Sequence, residues 1–195
     1  MQITRRLLTA IVLVSLCSIE TASCALMGGP DLRDLKFVSV KVIDPRSPAD
    51  AAIDNANPWH DRASLVVSFT AEQDLFGYVK QHEYSIGNDA SFCRGNEIDS
   101  LRPTQNDPYV FDARGKLDAY RGDVSGSPAS EPIYHIYIAI RPIHLAGQSV
   151  FEYDLQHAPE DVCVRLSGGN MLGGKFISNV IVVPKASIMA ALAHF

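Results

Sequence analysis

The feature that most restricts the fold of this chain is a series of short segments in which apolar and polar residues alternate. The clearest is "IYHIYIAIRPI", Ile133–Ile143, which is rich in β-branched and aromatic residues. A period of two predicts a β-strand with one face on the core. That face is predicted to hold Tyr134, Ile136, Ile138 and Ile140, whereas the other carries His135, Tyr137 and Arg141.

Similar segments occur along most of the chain. "LKFVSVKVID" places Val38, Val40 and Val42 on one face. The other predicted strands are "SLVVSFT" (Ser64–Thr70), "YVKQHEYSI" (Tyr78–Ile86), "SVFEYDLQ", "DVCVRL" and "KFISNVIVV". Because no helix is predicted between them, they indicate an all-β fold: a single antiparallel β-sandwich or barrel-like domain of about seven or eight strands.

The C-terminal segment "SIMAALAHF" differs from the rest, because its apolar residues follow helical spacing. Ile188, Ala191, Leu192 and Phe195 would form one stripe. The segment therefore predicts a short C-terminal helix with Ser187 as its N-cap.

Three segments are predicted to form long loops: "DPRSPADAAIDNANPWHD" (Asp44–Asp61), "IDSLRPTQNDP" and "RGDVSGSPASEP". Long loops on a β scaffold are common binding surfaces and equally common neutral insertions. The first contains Trp59, the only tryptophan. Trp59 is either an interface anchor or a plug over the core.

The N-terminus predicts export. "MQITRRLLTAIVLVSL" combines Arg5 and Arg6 with a short apolar run, the arrangement of a secretory signal peptide. The run is shorter than the roughly 20 residues of a membrane-spanning helix. We assign residues 1–23 to the signal peptide, 24–34 to a flexible tether and 35–195 to one globular domain.

The segment "TASCA", Thr21–Ala25, resembles the lipobox of bacterial lipoproteins, although Thr21 stands where leucine is usual. The resemblance implies that Cys24 is acylated and becomes the first mature residue. Because Ala25 rather than Asp follows it, it also implies sorting to the outer membrane. The alternative is cleavage after Ala25, which would remove Cys24 and release a soluble periplasmic protein.

Two cysteines remain in the body of the chain, Cys93 and Cys163. In an exported domain they are predicted to form one disulfide, the alternative being two separate buried thiols. Closing a loop of about 70 residues would stabilise the fold by up to ~4 kcal/mol in the chain-entropy model.

The charge of the mature chain argues against a nucleic-acid partner. Removing Arg5, Arg6 and Glu20 with the signal leaves 15 basic and 21 acidic residues, a net charge of −6. No basic face is available to displace phosphate counterions. An acidic surface is compatible with a basic protein partner.

The segment "SGGNMLGGKF", Ser167–Phe176, has the spacing of the phosphate-binding loop G-x-x-x-x-G-K. Two features argue against a nucleotide. Phe176 stands where Ser or Thr would hold magnesium, and the residues that follow predict a strand rather than a helix. The segment instead predicts a glycine-rich turn joining two hairpin strands, Asp161–Leu166 and Lys175–Val183. We predict no cofactor.

The sequence carries no recognisable catalytic motif. It lacks the nucleophile elbow G-x-S-x-G. Its six histidines form neither H-x-H nor H-E-x-x-H, and no calcium-loop pattern surrounds Asp112, Asp118 or Asp123. We therefore predict a protein that is not an enzyme, with no metal site.

The glycine-rich turn carries Met171 and Leu172 at its tip, where they either meet a partner or fold back onto the core. Together with Asn170 and Trp59 they are the predicted partner-binding residues.

In outline, the lipobox, single-disulfide β domain and absent catalytic motif are similar to bacterial lysozyme-inhibitor and immunity lipoproteins, which insert a loop into the cleft of a toxic enzyme. The likeness implies a non-enzymatic periplasmic lipoprotein that binds a secreted hydrolase or toxin. Because only the lipobox supports it, no functional residues are transferred. The alternative is a structural or assembly lipoprotein of the cell envelope; a periplasmic enzyme with a site assembled from distant residues is less favoured.

Overall fold

The structure is a computed structural model that describes residues 32–44, 62–113, 115–117, 132–144 and 150–195. The predicted signal peptide, Cys24 and Trp59 lie outside the described residues. Within them the strands are β1 (Lys36–Ile43), β2 (Ser64–Thr70), β3 (Ser85–Arg94), β4 (Glu97–Pro103), β5 (Phe111–Asp112), β6 (Gly115–Lys116), β7 (Ile133–Ala139), β8 (Val162–Gly169) and β9 (Lys175–Val183). The helices are α1 (Leu75–His82) and α2 (Lys185–Leu192).

The strands form two antiparallel sheets, which confirms the predicted all-β sandwich. One sheet has the order β1-β2-β7-β5-β6 and the other β4-β3-β8-β9. Their facing surfaces enclose the core. The prediction for β7 is confirmed, because Tyr134, Ile136, Ile138 and Ile140 are all buried in that core.

The prediction that Val38 shares a face with Val40 and Val42 is wrong. The pairing of β1 with β2 shifts between Phe37 and Ser39, which makes Val38 the extra residue of a β-bulge. Val38 is 47% exposed, while Phe37 packs against the core in its place. A bulge reverses the alternation on one side of it, and a period of two cannot anticipate this.

The predicted strand Tyr78–Ile86 is wrong over its first half, where the chain forms α1. The Asp74 carboxylate caps this helix by accepting hydrogen bonds from the amides of Phe76 (3.2 Å) and Gly77 (3.1 Å). The helix ends at Glu83, whose φ of 53° is left-handed, and β3 follows at Ser85. Leu75, Tyr78 and Val79 supply its buried face at helical spacing.

Two further predictions about strands and loops are corrected. The predicted loop "IDSLRPTQNDP" contains most of β4, an edge strand. None of its residues is buried, so no buried face imposes an alternation of apolar residues on its sequence. The described part of "SVFEYDLQ" forms no strand. Its alternation arises because Phe151, Tyr153 and Leu155 contact the core. They do so from an extended segment, residues 150–155, that pairs with no strand of either sheet.

The C-terminal helix is confirmed, but its predicted cap is wrong. α2 begins at Lys185, and its N-cap is Pro184, so Ser187 lies inside the first turn. The Asp161 carboxylate accepts the Lys185 amide at 2.6 Å, and this satisfies one of the free donors at the helix start. Ile188 is fully buried and anchors α2 to the core.

Short segments tie the two sheets together at their edges. Leu32, within the predicted tether, is buried and forms a parallel bridge with Ser178 of β9. The Asn179 side chain binds both backbone groups of Leu35, accepting its N–H and donating to its carbonyl, each at 3.0 Å. At the other side, Asn106 bridges Ile138 of β7.

Candidate functional site

The site predicted from sequence is the turn between β8 and β9, which we call the glycine hairpin (Gly168–Gly174). The predicted turn between two hairpin strands is confirmed, because Gly168 pairs with Phe176 and Gly169 with Lys175. The turn closes through a hydrogen bond from the Asn170 amide to the Gly174 carbonyl at 3.0 Å. Gly173 has a φ of 89°, a left-handed conformation that favours glycine.

Glycine is also required at position 168, for a different reason. A Cβ at this position would lie 2.4 Å from the Ser85 carbonyl oxygen and 2.3 Å from the Phe176 ring. The first glycine of the hairpin therefore permits close packing of β3, β8 and β9.

Asn170 organises the hairpin from within. Its Oδ1 accepts the amides of Leu172 (3.1 Å) and Gly174 (2.9 Å), and its Nδ2 donates to the His82 carbonyl at 3.0 Å. Both ends of the side chain are thus occupied inside the protein. Asn170, predicted as a contact residue, is placed as a positioning residue that holds the turn against the end of α1.

Met171 and Leu172 form the hairpin tip, and both point away from the core. Met171 is 96% exposed and Leu172 is 85% exposed, more than any other large apolar side chain among the described residues. Of the two alternatives that the sequence left open, folding back onto the core is therefore excluded. An ordered turn that presents two apolar side chains to solvent is a surface suited to a partner.

An aromatic cluster supports the hairpin from below. It consists of Tyr78, His82, Tyr84 and Phe176, whose neighbouring ring centroids are 4.8 to 5.7 Å apart. The rings of His82 and Tyr84 are stacked, with an angle of 17° between their planes. This support is absent from the sequence-based prediction, in which residues 78–82 belong to a strand. Asp74 as an N-cap and the i, i+4 pair of Tyr78 and His82 were the signals that could have revealed it.

The apolar surface continues from the tip along the outer face of the hairpin. A shallow depression of about 520 Å³ is lined there by Ser167–Gly169 and Lys175–Ile177. Ile177 borders it and is 46% exposed. The residues that line the depression flank the turn on both strands, so the depression adjoins the exposed tip.

The predicted disulfide between Cys93 and Cys163 is present, with a Cα–Cα distance of 5.1 Å. It joins β3 to β8, the strand that leads into the hairpin. Cys163 pairs with Ser91 and lies six residues before Gly169 in β8. At the rise of a strand, this separation places the disulfide roughly 20 Å from the turn. It fixes the scaffold rather than the base of the hairpin.

Two groups of titratable side chains lie elsewhere. Ser68 Oγ and His135 Nδ1 are 3.0 Å apart on paired strands. Burial lowers the pKa of His135, and the nearby positive charge of Lys41 adds to the effect. Ser68 is buried, and its contact with His135 joins β2 to β7.

The second group is exposed and centres on Asp154. Its carboxylate pairs with Arg141 Nε at 2.8 Å and with His157 Nδ1 at 2.9 Å. Burial acts to raise the pKa of Asp154, but hydrogen bonds from His157 and Arg141 lower it below the ordinary value. These contacts hold the turn that follows the extended segment.

In the described part of the chain, no three His, Cys, Asp or Glu side chains are grouped so that they could hold a metal ion. Likewise, none of the helices there combines the length and apolar character needed to cross a bilayer.

Comparison of the chain with protein-family models, with curated proteins and with solved structures gave no significant match.

Proposed function

We propose that this chain is a non-enzymatic binding protein that uses the glycine hairpin to occlude a site on a protein partner. The partner class proposed is a secreted hydrolase or toxin, which makes the chain an inhibitor or immunity protein. The observation that carries the proposal is the near-complete exposure of Met171 and Leu172 on an ordered turn.

The construction of the turn supports this role. Asn170 and the aromatic cluster hold the hairpin in one conformation before any partner arrives, so little entropy is lost on binding. A narrow turn that projects two apolar side chains is the right shape to enter a concave site. Methionine adapts readily to an irregular surface because its side chain is unbranched and polarisable.

The proposed location follows from the N-terminal sequence. A chain exported by residues 1–23 and acylated at Cys24 would be periplasmic and anchored to the outer membrane by lipid. Such a protein would meet hydrolases that enter the periplasm. Mass spectrometry of the mature N-terminus distinguishes acylated Cys24 from cleavage after Ala25.

The decisive experiment is a pull-down from periplasmic and secreted bacterial fractions with the mature protein. Three proteins are compared: the wild type, the double variant Met171→Asp/Leu172→Asp, and the control Leu101→Asp. Leu101 is 80% exposed on edge strand β4, so the control makes the same kind of change away from the hairpin.

We expect the wild type and the control to capture one enzyme stoichiometrically and to inhibit it, and the double variant to do neither. Capture that survives the double substitution would show that the hairpin is not the contact. Capture of envelope-assembly proteins without inhibition of any enzyme would favour the structural alternative and overturn the inhibitor proposal.

A further inference from the structure

Among the described residues, β1 has no strand partner on its outer edge. β1 lies at the end of its sheet and pairs with β2 along one side only. Along the other side, no described residue forms a backbone hydrogen bond with residues 37–42. Backbone N–H and C=O groups at such an edge can pair with an added strand.

A groove runs along this edge, between β1 and α2, with a volume of about 540 Å³. We call it the edge groove. One wall is formed by residues 37–42 of β1, and the other is the face of α2 that carries Ser187, Ala190, Ala191 and His194. Three of these four are small, so α2 stands beside the strand without filling the space. Phe195 also lines the groove and is half exposed.

We propose that the edge groove binds an extended, acidic peptide segment of another protein by adding it as a strand to β1. An open strand edge flanked by a helix supplies both parts of strand addition: main-chain groups for affinity and a side-chain groove for specificity. The length of chain bound is about six residues, since residues 37–42 extend ~20 Å at the rise of a strand.

The side chains that line the groove favour an acidic peptide. Its ionisable side chains are Lys41 and His194, and no Asp or Glu side chain lines it. Apolar walls from Phe37, Val40 and Val42 accept apolar side chains at alternate positions. The matching segment therefore alternates apolar and acidic residues.

A second copy of this chain fits the groove less well. Pairing β1 with itself would bring together two copies of "KFVSVKVI", which contains two lysines and no acidic residue. Like charges on one small sheet disfavour that dimer.

The test measures fluorescence anisotropy of labelled heptapeptides with the mature protein. The probe alternates valine and glutamate; a second peptide carries lysine in place of glutamate, and a third has alternate backbone amides N-methylated. We expect saturable binding of the first peptide at protein concentrations below about 0.5 mM, and affinity at least about tenfold weaker for the other two.

Two substitutions on the same helix locate the site. Ala190→Trp fills the groove and should weaken binding of the valine–glutamate peptide at least about tenfold, whereas Met189→Trp introduces the same side chain away from the groove and should leave affinity within about twofold. Both residues are exposed, so both variants should fold, and circular dichroism checks this. Lys41→Glu should reverse the preference between the glutamate and lysine peptides.

The absence of saturable binding, equal binding of the N-methylated peptide, or an unchanged affinity of Ala190→Trp would each overturn the proposal. A dimer seen by sedimentation and abolished by Ala190→Trp would overturn it in favour of a second copy. The hairpin variants Met171→Asp/Leu172→Asp leave the edge groove intact, so failure of the two proposals can be told apart.

Discussion

At the scale of single residues, the Asn170 side chain holds the hairpin tip in place, while its own polar atoms are hydrogen-bonded within the protein. Its amide group satisfies two hairpin N–H groups and one helix carbonyl, and the side chains of Met171 and Leu172 are exposed at the tip. The sequence predicted Asn170, Met171 and Leu172 together as contact residues of this turn. It did not separate the positioning residue from the contact residues, because hydrogen bonds to His82 depend on the fold.

Asn170→Ala should destabilise the protein by about 1–2 kcal/mol, since three hydrogen bonds are lost at a partly exposed site. It should also speed hydrogen exchange at the amides of Leu172 and Gly174. Urea unfolding and hydrogen exchange measure the two effects.

Asn170→Asp is the matched control. It keeps the oxygen that accepts both hairpin amides but replaces the donor to the His82 carbonyl with a second oxygen. We expect protection of the hairpin amides to be retained while stability is still reduced. If both variants leave exchange and stability unchanged, Asn170 does not position the hairpin.

At the scale of elements, α1 is the clearest difference between prediction and structure. Residues 78–86 contain aromatic and β-branched residues that suit a strand. The first part nevertheless forms a helix, because Asp74 caps its start and the Tyr134 hydroxyl hydrogen-bonds to its first residue. The Tyr134 hydroxyl accepts the Leu75 amide at 2.9 Å and donates to the Asp74 carboxylate at 3.3 Å. A partner 60 residues away in sequence thus decides how α1 starts.

Asp74→Ala should lower the free energy of unfolding by about 1–2 kcal/mol, because it removes the cap of α1. It should also loosen the aromatic cluster, seen as a weaker near-ultraviolet circular dichroism signal. Asp74→Asn retains an oxygen acceptor for the cap and should lose less than half as much stability. Equal losses in the two variants would contradict a capping role.

At the scale of the whole molecule, the two sheets are held together by polar contacts at their edges as well as by the core. The Tyr153 hydroxyl accepts the Gln105 amide at 3.0 Å and donates to the Ala139 carbonyl at 2.9 Å, which joins the extended segment to β7. Burial raises the pKa of Tyr153 from 10.0 to about 12, although the hydrogen bond from Gln105 opposes the shift.

This shift predicts a loss of stability in alkali. The folded state holds the Tyr153 proton more tightly than the unfolded chain does. Its contribution is therefore complete below pH 10.0 and is lost as the pH rises toward about 12. Urea unfolding of the wild type from pH 8 to about 12 should show this decline.

In Tyr153→Phe, stability should be lower at pH 8, because two hydrogen bonds are missing, but the further decline in alkali should be smaller. Some decline should remain, since burial also raises the pKa of Tyr134. If stability declined identically in alkali in the wild type and the variant, the decline could not be assigned to Tyr153.

The sequence alone determined the fold class, most strand positions, the disulfide pairing and the location of the glycine hairpin. Each rests on local information: alternation of apolar residues, two cysteines in the body of the chain, and glycines between two strands. The alternation predicts a strand correctly because one face of the strand must be buried, whichever strand it pairs with.

The remaining features depend on tertiary contacts. The bulge at Val38, the helix at Leu75–His82 and the outward orientation of Met171 and Leu172 depend on contacts between residues far apart in the chain. The edge groove likewise exists because α2 comes to rest beside β1. The sequence patterns of α2 and β1 do not predict that the two lie side by side. Packing between distant elements determines which strand edges and side chains stay exposed.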